Sequence, residues 1–190
     1  WGTTGIGYDL SRLEELAPDA PADSWKLIYD PKVVAQMAGC GLSVVDAPSE
    51  VIATALMAMG KDPNDLSPES LSAAEKLLLG MRPSVRKIDY LTQIEDLANG
   101  SQCLLLTWPA DVIRARARAR ESGREVDFRY VIPKEGTIRW IDTLTIPADA
   151  PNRAEAHAFI DFLMHADVAA RNANFIGTPS ANSAALGSIA

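Results

Sequence analysis

Three groups of side chains in this sequence have the types and spacing to do chemistry together. Glu50 closes the run Asp46-Ala-Pro-Ser-Glu50, a helix start directly after the strand-like Leu42 to Val45. Trp108 and Asp111 follow the strand-like Cys103 to Thr107 and stand three residues apart. Trp140 and Asp142 are two apart in the strand-like run Ile138 to Ile146, so both should point to one face. Carboxylates beside tryptophans suit an organic ammonium: carboxylate oxygens replace its water, and indole faces exclude water from its aliphatic part. A cation over an indole gains roughly 0.5–2 kcal/mol, depending on desolvation. Paired carboxylates such as Glu50 and Asp111 could also act as acid and base in glycoside hydrolysis. Each residue has a plainer reading too. Taken alone, Glu50 reads first as a capping or surface glutamate, Trp108 as a core residue, and Asp111 as the N-cap of the next helix. His157 and His165 fall in no catalytic or metal motif, and Gly2-Thr-Thr-Gly-Ile-Gly7 lacks the order and the lysine of a phosphate-binding loop.

The elements that position these groups must come from an ordinary globular chain of 190 residues, 47% hydrophobic and 23% charged. Its longest apolar runs, such as Leu77 to Leu79 and Cys103 to Leu106, fall far short of the roughly 20 residues of a membrane-spanning helix. A net charge of −7 disfavours nucleic acid as a partner. The one basic stretch carries Arg114, Arg116, Arg118 and Arg120 at every second position, which on a helix spreads them around the cylinder. Two cysteines exclude a disulfide-dense scaffold and a four-cysteine zinc site. Cys40 precedes the strand-like Leu42 to Val45 and Cys103 begins the strand-like Cys103 to Thr107, so neighbouring strands could join them in a disulfide or leave them as two buried thiols. The first residues lack a start methionine and a signal-like apolar region, so the sequence is expected to begin within a longer chain whose export signal has been removed.

Along the chain, strands are expected at Gly5 to Tyr8, Leu42 to Val45, Cys103 to Thr107, Val126 to Ile132 and Ile138 to Ile146. Between them, helices are expected at Ser11 to Leu16, from a Ser24 cap, at Lys32 to Ala38 and from Pro48 to Gly60. Further helices are expected from Ser67 to Gly80, at Ile88 to Leu97 and from Trp108 to about Ser122. A last substantial helix, Asn152 to His165, should turn Ala158, Phe159, Phe162 and Leu163 inward, with a shorter one from Asp167 and a loop-like end from Gly177 to Ala190. This alternation predicts an α/β fold with a mainly parallel sheet flanked by helices. Ligands of such sheets bind at strand ends, which puts Glu50 and the Trp108/Asp111 pair on one rim.

Five runs, in order, are similar to those of bacterial periplasmic polyamine-binding proteins that serve ABC importers. They are Trp1-Gly-Thr-Thr-Gly-Ile-Gly-Tyr8, Asp46-Ala-Pro-Ser-Glu-Val51, Leu97-Ala-Asn-Gly100 leading into Trp108-Pro-Ala-Asp111, Ile132-Pro-Lys-Glu-Gly136, and Trp140-Ile-Asp142 ahead of Ile146-Pro-Ala-Asp149. The resemblance implies a lobe of the type II periplasmic binding fold, with residues 5–136 as lobe two and 140–190 as part of the return into lobe one. It implies a periplasmic solute receptor, not an enzyme, without cofactor or metal, that takes a putrescine-like polyamine and delivers it to a membrane ABC permease. A sensor-coupled signalling receptor of the same fold is an alternative. It assigns ligand contacts to Glu50, Trp108, Asp111, Trp140 and Asp142. At Thr178, also assigned to the ligand, the family commonly places a tyrosine; the smaller side chain keeps a hydroxyl but loses stacking area, which leaves open whether putrescine, spermidine, agmatine or another cation is taken. Most of lobe one would be missing, and an unpaired return strand would invite self-association.

Overall fold

Every residue of Leu104–Thr107 is buried, as a strand covered on both faces requires, and the main sheet is built around it. The computed structural model describes residues 1–189; of the loop-like end expected at 177–190, Ala190 lies outside the described residues. In chain order the elements are β1 (Gly2–Thr3), β2 (Gly5–Asp9), α1 (Leu10–Leu16), α2 (Lys26–Tyr29), α3 (Pro31–Val34), β3 (Leu42–Val44), α4 (Pro48–Ala58) and α5 (Pro68–Met81). There follow β4 (Val85–Ile88), α6 (Gln93–Asn99), β5 (Leu104–Thr107), α7 (Pro109–Glu121), β6 (Phe128–Val131), β7 (Arg139–Trp140), α8 (Arg153–Met164) and α9 (Ala166–Ile176), with 3-10 turns at Ala35–Gly39, Arg82–Ser84 and Ser183–Ser188.

The chain divides into two compact units, Thr3–Ile138 on one hand and Trp1–Gly2 with Arg139–Ala190 on the other. The first holds the five-stranded sheet, in order β4-β3-β5-β2-β6. β3 runs parallel to β4 and β5, while β2 is antiparallel to both β5 and β6. Only β2 is therefore reversed, and the other strands share one direction. That single reversal has a consequence for function. The start of β2 lies beside the ends of β5 and β6, with Gly5 opposite Thr107 and Ile6 opposite Val131.

The alternation of β5 feeds two cores. Leu104 and Leu106 join Ile6, Trp25, Leu27, Ile28 and Leu42 on one face. Leu105 joins Leu97, Val112, Ala115 and Phe128 on the other. Cys40 and Cys103, the residues leading toward β3 and β5, are paired in a disulfide with Cα atoms 5.5 Å apart.

Several local expectations are corrected. Val85–Ile88 is an edge strand, so the helix expected at Ile88 to Leu97 begins only at Gln93. α5 passes through Gly80 and ends at Met81. The helix after Ser24 starts at Lys26 with Trp25 at its cap position; the Ser24 hydroxyl donates to Glu135 and accepts from the Lys26 amide. Asp111 is not the cap of α7, since Pro109 opens that helix and Trp108 precedes it.

In the second unit the strand expected at Ile138 to Ile146 is reduced to Arg139–Trp140, which pairs with β1. A longer strand needs a longer partner, and β1 offers two residues. α8 carries no buried residue: Phe159 is 60% and Phe162 53% exposed, Ala158 is exposed and Leu163 half-buried. The inward face expected for this helix is thus uncovered within its own unit. α9 buries Val168, Ala169, Ala170 and Ala173, and Ala169 and Ala170 form a small cluster with Ala185.

Candidate functional site

The rim formed by the ends of β3, β5 and β6 and the start of β2 collects the polar groups of the first unit. Pro48 opens α4, so Glu50 sits in the first turn, where the exposed backbone N–H groups favour an anion. Trp108 is the residue between β5 and α7. Its indole Nε1–H donates to Glu50 Oε2 at 3.0 Å, and the hydroxyl of Thr4 donates to the same oxygen. Thr4, just before β2, is fully buried, while Glu50 and Trp108 are half-buried. Both donors fall on Oε2, which leaves Oε1 for a further partner.

Tyr130 at the end of β6 extends the group. Its hydroxyl donates to the Thr3 carbonyl at 2.9 Å and lies 2.8 Å from the Thr3 hydroxyl. Burial, opposed by the Thr3 hydrogen bond and assisted by the negative charge of Glu50, pushes Tyr130 up to about 12, so it remains a neutral phenol at physiological pH. A Cβ at position 5 would lie 2.7 Å from the Tyr130 ring and 2.5 Å from the Val131 carbonyl; Gly5 is what lets β6 bring the phenol this close. Tyr90, after β4, completes the ring of groups, its centroid 6.1 Å from that of Trp108 at an interplanar angle of 57°.

Asp111 is built differently. It is 9% exposed, and its Oδ2 accepts from the Thr107 hydroxyl at 3.1 Å. Burial raises its carboxyl above the usual range, against the Thr107 hydrogen bond and the charge of Arg114. The Thr107 hydroxyl and the charge of Arg114 thus offset only part of the cost of burying this carboxylate. The recorded partners of Asp111 and of Glu50 do not overlap, so the two carboxylates are separately held.

The remaining expected residues lie in the second unit. The Trp140 ring packs over Gly2, where any Cβ would overlap it, and its indole N–H is buried with no partner among the described residues. Asp142 is exposed and stands beyond β7 in a segment without regular structure, so the alternation that would align it with Trp140 is lost. Thr178 is half-buried and follows Gly177, the left-handed cap of α9; its amide donates to Ala173. Both histidines are exposed. Among the described residues no cluster of three or more His, Cys, Asp or Glu could hold a metal ion, and no helix is long and apolar enough to cross a membrane.

Residue types alone point past three members of the site. Thr4 and Thr3 lie in a glycine-rich stretch that reads as plain strand, and Tyr130 lies inside an expected strand with nothing to mark its face. Only the reversal of β2, which sequence alternation does not carry, brings them to Glu50.

Ligands of mostly parallel α/β sheets bind at such strand ends, and the chain belongs to the bacterial extracellular solute-binding protein family, whose model matches residues 1–189. It is 41% identical over 187 residues to the putrescine-binding periplasmic protein of Escherichia coli strain K12, covering 97% of this chain and 50% of that protein. To the putrescine/agmatine-binding protein of Pseudomonas aeruginosa it is 35% identical, over 98% of this chain and 51% of that one. Among solved structures it superposes with a TM-score of 0.84 and 29% identity on a Listeria monocytogenes protein described as a candidate spermidine/putrescine ABC transporter, over 100% of this chain and 54% of that chain. The fold is that of a type II periplasmic binding protein. The chain spans about half the length of the curated relatives it matches.

Proposed function

We propose that this chain is about half of a periplasmic receptor for a polyamine or related organic cation that delivers its cargo to an ABC permease. One observation carries the reading. Glu50 is anchored through Oε2 by Trp108 and Thr4, so that Oε1 is left to accept an ammonium beside an indole face. A glutamate retained only to cap α4 would have no need of an indole donor from β5. The relatives named for putrescine, for agmatine and for spermidine agree with a cation of this class. Asp111, Trp140, Asp142 and Thr178 are assigned to the ligand on the family resemblance, each to be tested by its own substitution.

The experiment is calorimetric titration of the intact protein and of the 190-residue chain with putrescine, cadaverine, spermidine and agmatine. Tight binding of one of them by the intact protein is expected, weakened over about tenfold in Glu50→Gln, as befits loss of a charge-assisted contact. Silence of the intact protein toward all four would discard the polyamine assignment, and unchanged affinity in Glu50→Gln would remove this residue from the site.

A further inference from the structure

Tyr90 has no role in any reading of the sequence, yet it is the aromatic residue that meets Trp108 ring to ring. The centroid distance of 6.1 Å and the tilt of 57° fall within the range of attractive edge-to-face pairs. Trp108 is packed against the main core, and it is further held at two points, its N–H by Glu50 at 3.0 Å and its ring by Tyr90. An indole turns about two side-chain torsions, and the Tyr90 contact on its outer side adds a constraint on its plane to those of the core and the hydrogen bond.

Tyr90 itself is 47% exposed, so core burial does not account for it. The turn that carries it is anchored on both sides. Its preceding residue, Asp89, donates its amide to the Val44 carbonyl at 3.0 Å, continuing the β3–β4 pairing. The Asp89 carboxylate accepts from the Leu91 amide at 2.9 Å and from the Thr92 hydroxyl at 2.7 Å. Lys87 and Asp96 close the same network at 2.8 Å. A half-exposed tyrosine on a turn this well tied is a fixed surface for whatever lies against it.

We infer that Tyr90 is a positioning residue, one that fixes the plane of Trp108 so that the indole N–H stays on Glu50 and its face stays available to an organic cation. This inference rests on the reading of Glu50 and Trp108 as a cation half-site.

The test uses the intact protein with putrescine as probe and four variants: Tyr90→Ala, Tyr90→Phe, Trp108→Phe and Glu50→Gln. The indole N–H resonance of Trp108, identified by its loss in Trp108→Phe, reports the ring directly. Tyr90→Ala should displace that resonance and weaken putrescine binding about three- to tenfold, the scale of one aromatic pair. Tyr90→Phe should preserve both. Placed on Trp108→Phe, Tyr90→Ala should add less than about twofold, because its effect passes through the indole. A wild-type resonance and affinity in Tyr90→Ala would overturn the inference, as would an equal loss with and without Trp108. Glu50→Gln keeps the two ideas apart: full affinity there sinks the half-site reading, while the Trp108 resonance still decides whether Tyr90 positions the ring.

Discussion

The Cys40–Cys103 disulfide closes the entry end of the two strands whose exits carry Glu50 and Trp108. It spans 63 residues of sequence. In the chain-entropy account the constraint on the unfolded chain is about 2.1 + 1.5R ln n cal/mol/K, which for a loop of this length is about 4 kcal/mol at 25 °C. Because that effect acts on the unfolded chain, the native site should be nearly indifferent to it. The perturbation is reduction of the native protein by a thiol, with Cys40→Ala/Cys103→Ala as a permanent counterpart. Urea unfolding followed by tryptophan fluorescence is expected to lose about 4 kcal/mol on reduction. Affinity for the cation should stay within about twofold, the usual limit of independent effects. A stability loss under about 1 kcal/mol would refute the entropic argument, since natural disulfides commonly exceed it. A parallel collapse of affinity would refute the claim that the sheet, and not the disulfide, sets the geometry between β3 and β5.

Asp111 has a folded carboxyl raised by burial, so its contribution to stability is fully present below its unfolded pKa and is lost as pH rises through the folded one. Asp111→Asn should therefore stabilise the protein near pH 8 relative to its effect near pH 3, read from thermal melts; a uniform destabilisation would instead make the carboxylate a structural acceptor for Thr107. The exposed Phe159 and Phe162 of α8 lead us to expect the isolated 190-residue chain to self-associate, its light-scattering mass rising with concentration and falling back in Phe159→Ser/Phe162→Ser; a constant monomer mass would end that proposal.

What could be read in the sequence was whatever a residue does with its near neighbours in the chain. The starts of α4 and α5, the buried run of β5 and the rim position of Glu50 and Trp108 follow from Pro48, Ser67 and a row of leucines, whereas the start of α7 at Pro109 and the end of α5 beyond Gly80 do not. The misread segments are those where local pattern and tertiary partner disagree. Val-Arg-Lys-Ile at 85–88 has too few apolar residues to announce a strand, yet as the edge beside β3 it needs only one pleat face to pack. Ile138 to Ile146 has the reverse problem, an alternation fit for a strand but only β1 to pair with.

The site divides along the same line. Glu50 and Trp108 could be named as candidates, but not the bond between them, because 58 residues separate them and the register of β3 against β5 decides whether they meet. Thr4 and Tyr130 are further from view still, since they arrive on β2 and β6, and their approach depends on β2 running against its neighbours. Had β2 run parallel, Thr4 would stand at the opposite edge of the sheet, and Glu50 would lose the buried hydroxyl that shares Oε2 with the indole. The way Glu50 Oε2 is held is thus a property of one reversed strand, and a hydroxyl-deleting Thr4→Val, which keeps the strand and its burial, is the smallest change that separates that topology from the cation binding proposed for Glu50.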